Sequence, residues 1–209
     1  PPTAARIAYY MPKRHTFGKM YLEVYKDGEL IKTLQAGKSG GLNIVEMPTA
    51  LDRPKAAPTK NRMALGGTIF GPNLEAGKYE VKLIKGKETY TTGFELMHDP
   101  ESPYTMEERE LQYETVMELY AMTEQLAYIY QILDEIGGQA RDISADDPVI
   151  KELLAKLDLK STELRESFVA LEGDFYVDSD ERLRERIAEM YMQVSNFPGK
   201  PTDTQQGRT

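Results

Sequence analysis

The chain has 209 residues, 40% of them hydrophobic, with no cysteine, no tryptophan and a net charge of −8. That length allows one large domain or two small ones. The missing cysteines exclude disulfides, thiolate metal sites and cysteine nucleophiles, and no apolar run reaches the roughly 18 residues of a membrane span.

The chain opens on Pro1-Pro2 with no signal peptide, which reads as a piece excised from a longer protein. The first predicted strand is Arg6 to Tyr10. Met20 to Tyr25 follows with a period of two, Leu22 and Val24 toward a core and Tyr21, Glu23 and Tyr25 away from it. Asp27-Gly28 supplies the positive φ of a tight hairpin, and Glu29 to Leu34 returns. Gly37 to Gly41 is a loop, Leu42 to Met47 a further strand, and Pro48 to Pro58 too proline-rich for a ladder. Lys78 to Ile84 sets Tyr79, Val81 and Leu83 on one face. Lys85-Gly86 then turns the chain into a return strand whose Tyr90, Thr92, Phe94 and Leu96 share a face. Short strands at this spacing predict a β-sandwich of about seven strands.

Beyond His98-Asp99-Pro100 the period changes to that of helices. Thr105-x-x-Glu108 is a capping box. Leu119, Met122, Leu126, Ile129, Leu133 and Ile136 form a heptad seam. Tyr113, Val116, Tyr120, Ala127 and Tyr130 make a second stripe, so this helix has neighbours on two sides. Gly137-Gly138 either ends or loosens it. Asp147-Pro148 opens a second helix, with Ile150, Leu153, Leu157, Leu164, Phe168 and Leu171 as its apolar set and Gly173 as its stop. Asp178-x-x-Glu181 opens a third, bearing Leu183, Ile187, Met190, Val194 and Phe197 and stopped by Pro198-Gly199. Thr202-x-x-Gln205 is the cap of a fourth helix cut short.

Charge divides with the elements. Residues 1–98 carry +6 and residues 99–209 carry −14, which places a boundary at about 98–104 and favours docking between the halves. The acidic half argues against a nucleic-acid partner.

Candidate chemistry is sparse. Gly37-Lys38-Ser39 ends like a phosphate-binding loop, but Lys32 stands where that motif requires glycine, so the segment reads as a loop between strands. His15 and His98 lack a second ligand at metal spacing, and Lys13-Arg14-His15 is a basic triplet suited to an anion. Asp174, Asp178, Asp180 and Glu181 form an acidic cluster, but Arg182 breaks the calcium-loop pattern and helix capping accounts for the charges. No pair of carboxylates stands out for glycoside hydrolysis, and no nucleophile elbow occurs. The clustered tyrosines Tyr9, Tyr10, Tyr21 and Tyr25 are a candidate sugar platform, with packing as the competing role. The expectation is therefore no catalytic residues, no metal and no cofactor.

The segment Tyr21 to Leu83 resembles the immunoglobulin-like module of the flagellar hook-capping type. The likeness rests on the Asp-Gly hairpin, Ile31-Lys32-Thr33-Leu34 and Gly77-Lys78-Tyr79-Glu80-Val81-Lys82-Leu83. Glu46-Met47 stands where that module often has Trp-Asp. The whole chain is similar to the C-terminal region of secreted bacterial proteins with an upstream β-propeller of sortilin or sialidase-type repeats, often labelled glycosyl hydrolase-like. Ala4-Ala5-Arg6-Ile7-Ala8-Tyr9-Tyr10, Gly71-Pro72-Asn73-Leu74-Glu75-Ala76-Gly77-Lys78-Tyr79 and Leu111-Gln112-Tyr113-Glu114-Thr115-Val116-Met117 carry that likeness. It implies an α+β chain in two segregated parts, an immunoglobulin-like β-sandwich over 1–98 and an antiparallel bundle of three long helices over 105–209. It implies a secreted, periplasmic or cell-envelope setting, and a non-catalytic accessory role against the propeller of the same polypeptide. The alternative is a carbohydrate-binding module attached to a glycoside hydrolase. A homodimer through exposed helical surface is a further possible association.

Overall fold

The hairpin chemistry of Asp27-Gly28 sets the first unit in place. Both residues take positive φ, 51° and 84°, the geometry whose twist matches paired strands. They join β2 (Met20–Lys26) to β3 (Glu29–Gln35). The computed structural model, which describes residues 4–171 and 182–207, adds β1 (Ala4–Met11), β4 (Gly41–Pro48), β5 (Gly77–Lys85) and β6 (Glu88–Leu96). The protein is α+β, with two antiparallel sheets and helices. One sheet pairs β1 with β4, and the other runs β3-β2-β5-β6. Six strands are present among the described residues, against about seven expected; they match the six runs read from the sequence, and the proline-rich stretch after β4 makes one bridge, Ala50 to Asn73.

The alternation read from sequence is the alternation that packs. Leu22, Val24 and Val81 are at most 1% exposed, and Tyr79 is buried and stacked on Phe94 with ring centroids 5.2 Å apart. Met11 of β1 and Met47 of β4 join the same core, so both sheets contribute to one apolar interior. Burying each such side chain stabilises by about 1.5–3 kcal/mol. Tyr90 shares the face of Phe94 and Leu96, as the register Leu83–Tyr90 and Tyr79–Phe94 requires, but lies beyond the covered part of the core. Phe94 and Leu96 pack on the core, while Tyr90 is exposed and donates to Glu88.

Residues 52–72 and 104–207 form the helical unit, and 4–51 with 73–103 the sheet unit. The expected division at 1–98 and 105–209 kept residues 52–72 with the strands. They carry no periodicity of their own, so only packing shows where they belong. A short helix, α1 (Arg62–Gly67), also lies there, where no helix was expected before residue 105. At the neck of this excursion, the Ala50–Asn73 bridge and Leu74 N–H donating to the Thr49 carbonyl at 2.8 Å bind its two ends together.

The 37-residue α2 (Met106–Asp142) begins at the Thr105–Glu108 capping box and continues through Gly137-Gly138. At Gly137 it is packed by α3 (Pro148–Phe168). A Cβ on Gly137 would meet Asp158 Oδ1 at 3.1 Å. Asp147 caps α3, accepting from Val149 N–H at 2.7 Å. Ion pairs Arg141–Asp158 and Arg165–Asp134 fix α3 antiparallel to the C-terminal half of α2. The 13-residue α4 (Leu183–Ser195) lies against the N-terminal half, where Val116 and Leu119 meet Tyr191 and Val194. A one-turn α5 (Asp203–Gln206) starts at the Thr202–Gln205 box.

Four helix readings change. α4 starts at Leu183 with Arg182 as an N-cap that makes no side-chain cap bond, not at the Asp178-x-x-Glu181 box, which lies outside the described residues. α3 ends at Phe168, so Leu171 is outside it. α4 ends at Ser195, so Phe197 is outside it and packs edge-on to Tyr104. Ile150, Leu153, Leu157 and Leu164, expected in a core, are each 45–59% exposed.

Candidate functional site

The helical unit is covered on one side and open on the other. On the covered side, the second stripe of α2 meets residues 55–58. Ala57 is buried, and Ala127 and Tyr130 line a concavity together with Pro58. Lys55 N–H donates to Glu124 at 3.2 Å. So α2 does have neighbours on two sides, but on this flank the neighbour is an irregular segment rather than a helix. It is held to α4 by two buried charged residues. Glu185 accepts the Thr59 hydroxyl at 2.6 Å and Ala170 N–H at 3.2 Å. Arg184 donates through Nε to the Ala57 carbonyl at 3.1 Å and through Nη2 to Thr68 at 3.4 Å. Burial pushes the Arg184 pKa down, opposed by the Glu185 charge. Tyr191 is 2% exposed and donates to the Phe70 carbonyl at 3.1 Å. Desolvation raises its pKa to about 12. At Gly67 a Cβ would come within 2.3 Å of the Ala188 carbonyl oxygen, so α1 and α4 approach backbone to backbone.

No sequence signal marked Arg184 and Glu185. They sit among alternating charges (Arg182 to Arg186) that read as a solvated face, and only their partners in residues 57–68 and at Ala170 make them interior.

On the open side, Met122, Leu126 and Ile129 of α2 face Leu183, Ile187 and Met190 of α4 across a groove of about 700 Å³. Gln125, Arg186, Glu189 and Gln193 form its polar edge. An apolar floor with a sparse polar edge suits an apolar side chain of a partner and holds no paired nucleophile and base.

The sheet unit presents a different surface. Tyr10, Leu42 and Ile44 are 72%, 67% and 55% exposed. The register pairs Tyr10 with Leu42, and Ala8 with Ile44, so these side chains share the outer face of the β1–β4 ladder. The Arg6–Glu46 ion pair closes one end at 3.5 Å. Among the described residues this sheet has two strands, each with one edge not paired to another described strand, and such edges accept further strands or partner loops.

The tyrosines do not converge on one platform. Tyr9 packs on the core and donates to the Gly37 carbonyl at 2.7 Å, and burial raises its pKa. Tyr10, its neighbour, points to the opposite face. Tyr25 donates to Glu23 at 2.6 Å with the Lys82 ammonium 4.2 Å from its ring centre. That hydrogen bond is the main cause of its raised pKa. Tyr21, two positions before Glu23, shares this outward side of β2.

The Gly37-Lys38-Ser39 loop is braced internally. Asn43 holds Ser39 through both its amide atoms, Lys38 Nζ donates to the Gly18 carbonyl at 2.8 Å, and His15 N–H donates to the Lys38 carbonyl. Among the described residues no cluster of three or more His, Asp or Glu side chains could hold a metal ion. Gly173 and the acidic cluster Asp174, Asp178, Asp180 and Glu181 lie outside the described residues. No described helix is long and apolar enough to cross a membrane.

Compared with family models, curated proteins and solved structures, the chain matches none.

Proposed function

We propose that this chain is a non-catalytic accessory region of a larger secreted protein, and that it packs against a β-propeller of the same polypeptide. The observation that carries the reading is the outer face of β1 and β4. Tyr10, Leu42 and Ile44 form an exposed apolar strip on a ladder of two strands whose outer edges pair with no other described strand. Exposed apolar strips rimmed by polar residues are typical of protein contact surfaces. The resemblance carried by Ala4 to Tyr10 falls on this same strand. On this reading the two sheets are an immunoglobulin-like sandwich, supported by the core they share. The helices are then an antiparallel bundle left open along one side.

The test is binding between this chain and the separately produced upstream part of its parent polypeptide. Calorimetry should give a Kd of about 10 μM or tighter. Tyr10→Ser with Leu42→Ser should weaken it by at least about tenfold, while the melting temperature of the isolated chain stays unchanged. Undiminished binding by the double variant, or a parent reading frame without propeller repeats, overturns the proposal.

A further inference from the structure

The open side of the helical unit is longer than its groove. α3 turns Asp158, Ser161 and Arg165 toward α2, where they meet Arg141, Gly137 and Asp134. At 100° per residue, Leu153, Leu157 and Leu164 lie on the flank of that contact line. α4 behaves alike, with Tyr191 and Val194 against α2 and Ile187 and Met190 turned to the groove. Both helices run antiparallel to α2, and in both the uncovered row lies on the same rotational side. The rows therefore join into one apolar face. Ile129, Leu153, Leu157, Leu164 and Leu183 on it are 37–59% exposed. Residues 52–72 cover the opposite side only.

We infer that this face binds a second copy of the same chain. Its spacing is that of a heptad seam, which is completed by helices of the same period. Two antiparallel helices laid face to face on their own copy close a four-helix arrangement about a two-fold axis. The area agrees. From Leu119 to the end of α2 the face is about 36 Å long and two helices, or roughly 20 Å, wide. That gives on the order of 700 Å², against about 800 Å² per partner in a stable interface. Charge selects the alignment. α2 has nine acidic and two basic residues, so stacking α2 on α2 is repulsive. α3 has four of each sign, with Lys156 and Lys160 exposed near the apolar row. The two-fold axis therefore runs along the helices and sets α2 of one copy over α3 of the other.

Sedimentation of the intact chain from about 1 to 100 μM should show a reversible monomer–dimer equilibrium. Leu153→Glu with Leu157→Glu should raise the dissociation constant at least about 100-fold. Both side chains are already half exposed in the monomer, so circular dichroism should show an unchanged helix content. The absence of cysteine permits a second measurement that tolerates mild substitutions only. The α2–α3 register set by Arg141–Asp158 and Arg165–Asp134 puts Ile136 level with Leu164, so Leu164→Cys and Ile136→Cys chains, mixed, should form a disulfide heterodimer faster than Ile136→Cys chains link to themselves. A chain that stays monomeric at 100 μM overturns the inference and leaves the face to a different partner. A dimer indifferent to the Leu153/Leu157 substitutions, or cross-linked preferentially α2 to α2, overturns it as well.

Discussion

The two units solve the same packing problem in different ways. The sheet unit closes its interior mainly with apolar side chains, and its one buried polar side chain among the described residues, Asn43, is bonded to Ser39. Leu22, Val24, Met47 and Val81 are almost wholly inaccessible, and both sheets supply them. The helical unit carries charged side chains into its interior. It seals one flank with a polar lock of Arg184, Glu185 and Tyr191 on residues 57–70 and leaves the other flank apolar and exposed. A closed apolar core is indifferent to pH and tolerates little change in volume. A polar lock depends on protonation and partner geometry, and an open face depends on association. Function is therefore more readily read from the helical unit's surfaces than from its core.

The difference is sharpest when each interior is cut. Leu22→Ala should cost about 3–4 kcal/mol of stability in urea denaturation of the sheet unit, since the site is sealed and cannot collapse cheaply. Leu159→Ala, equally large but exposed, should change stability by less than about 0.5 kcal/mol. Similar costs at the two positions would erase the distinction between closed and open regions.

The polar lock should show the next largest effect. Glu185→Ala strands the Thr59 hydroxyl, the Ala170 amide and the neighbouring Arg184 charge, and should cost about 3 kcal/mol. Glu185→Gln keeps one acceptor and should recover about half of that. Equal losses in the two variants would mean that the site is governed by packing rather than by hydrogen bonding.

Gly67→Ala should destabilise by about 1–3 kcal/mol, because its methyl group would overlap the Ala188 carbonyl and force α1 off α4. A neutral Gly67→Ala would show that residues 52–72 are only loosely attached.

The smallest effect is the pH dependence of the lock. The pKa of Tyr191 is raised from 10.0 to about 12 by burial. Its neutral form is favoured in the folded state, so its contribution is whole below pH 10 and is lost as the pH rises from 10 toward 12. Thermal melts of the wild type should fall more steeply across that window than those of Tyr191→Phe, and parallel curves would remove Tyr191 from the account.

Local rules reached far into this chain because they act over a few residues. Asp27-Gly28, Thr105-x-x-Glu108, Asp147-Pro148 and Thr202-x-x-Gln205 each satisfy their own backbone within one turn, so the hairpin and the starts of α2, α3 and α5 were legible without a fold. The period-two runs around Leu22 and Tyr79 announced the buried faces of β2 and β5 for the same reason. Periodicity marks which residues are apolar together, however, and does not say what covers them. Ile150, Leu153, Leu157 and Leu164 read as a core stripe, yet in the structure α3 meets α2 through Asp158, Ser161 and Arg165. The small Ser161 fits against Gly137 and the charged pairs fix the rotation. Residues 52–72, aperiodic and rich in proline, gave no hint that they belong with the helices, since that attachment rests on backbone carbonyls and on hydrogen bonds spanning more than a hundred residues. The sequence by itself determined the six strands, the starts of α2, α3 and α5, and the buried sides of the strands. Only the tertiary structure decided which helix face is covered, because that choice depends on shape and charge matching between segments far apart in the chain.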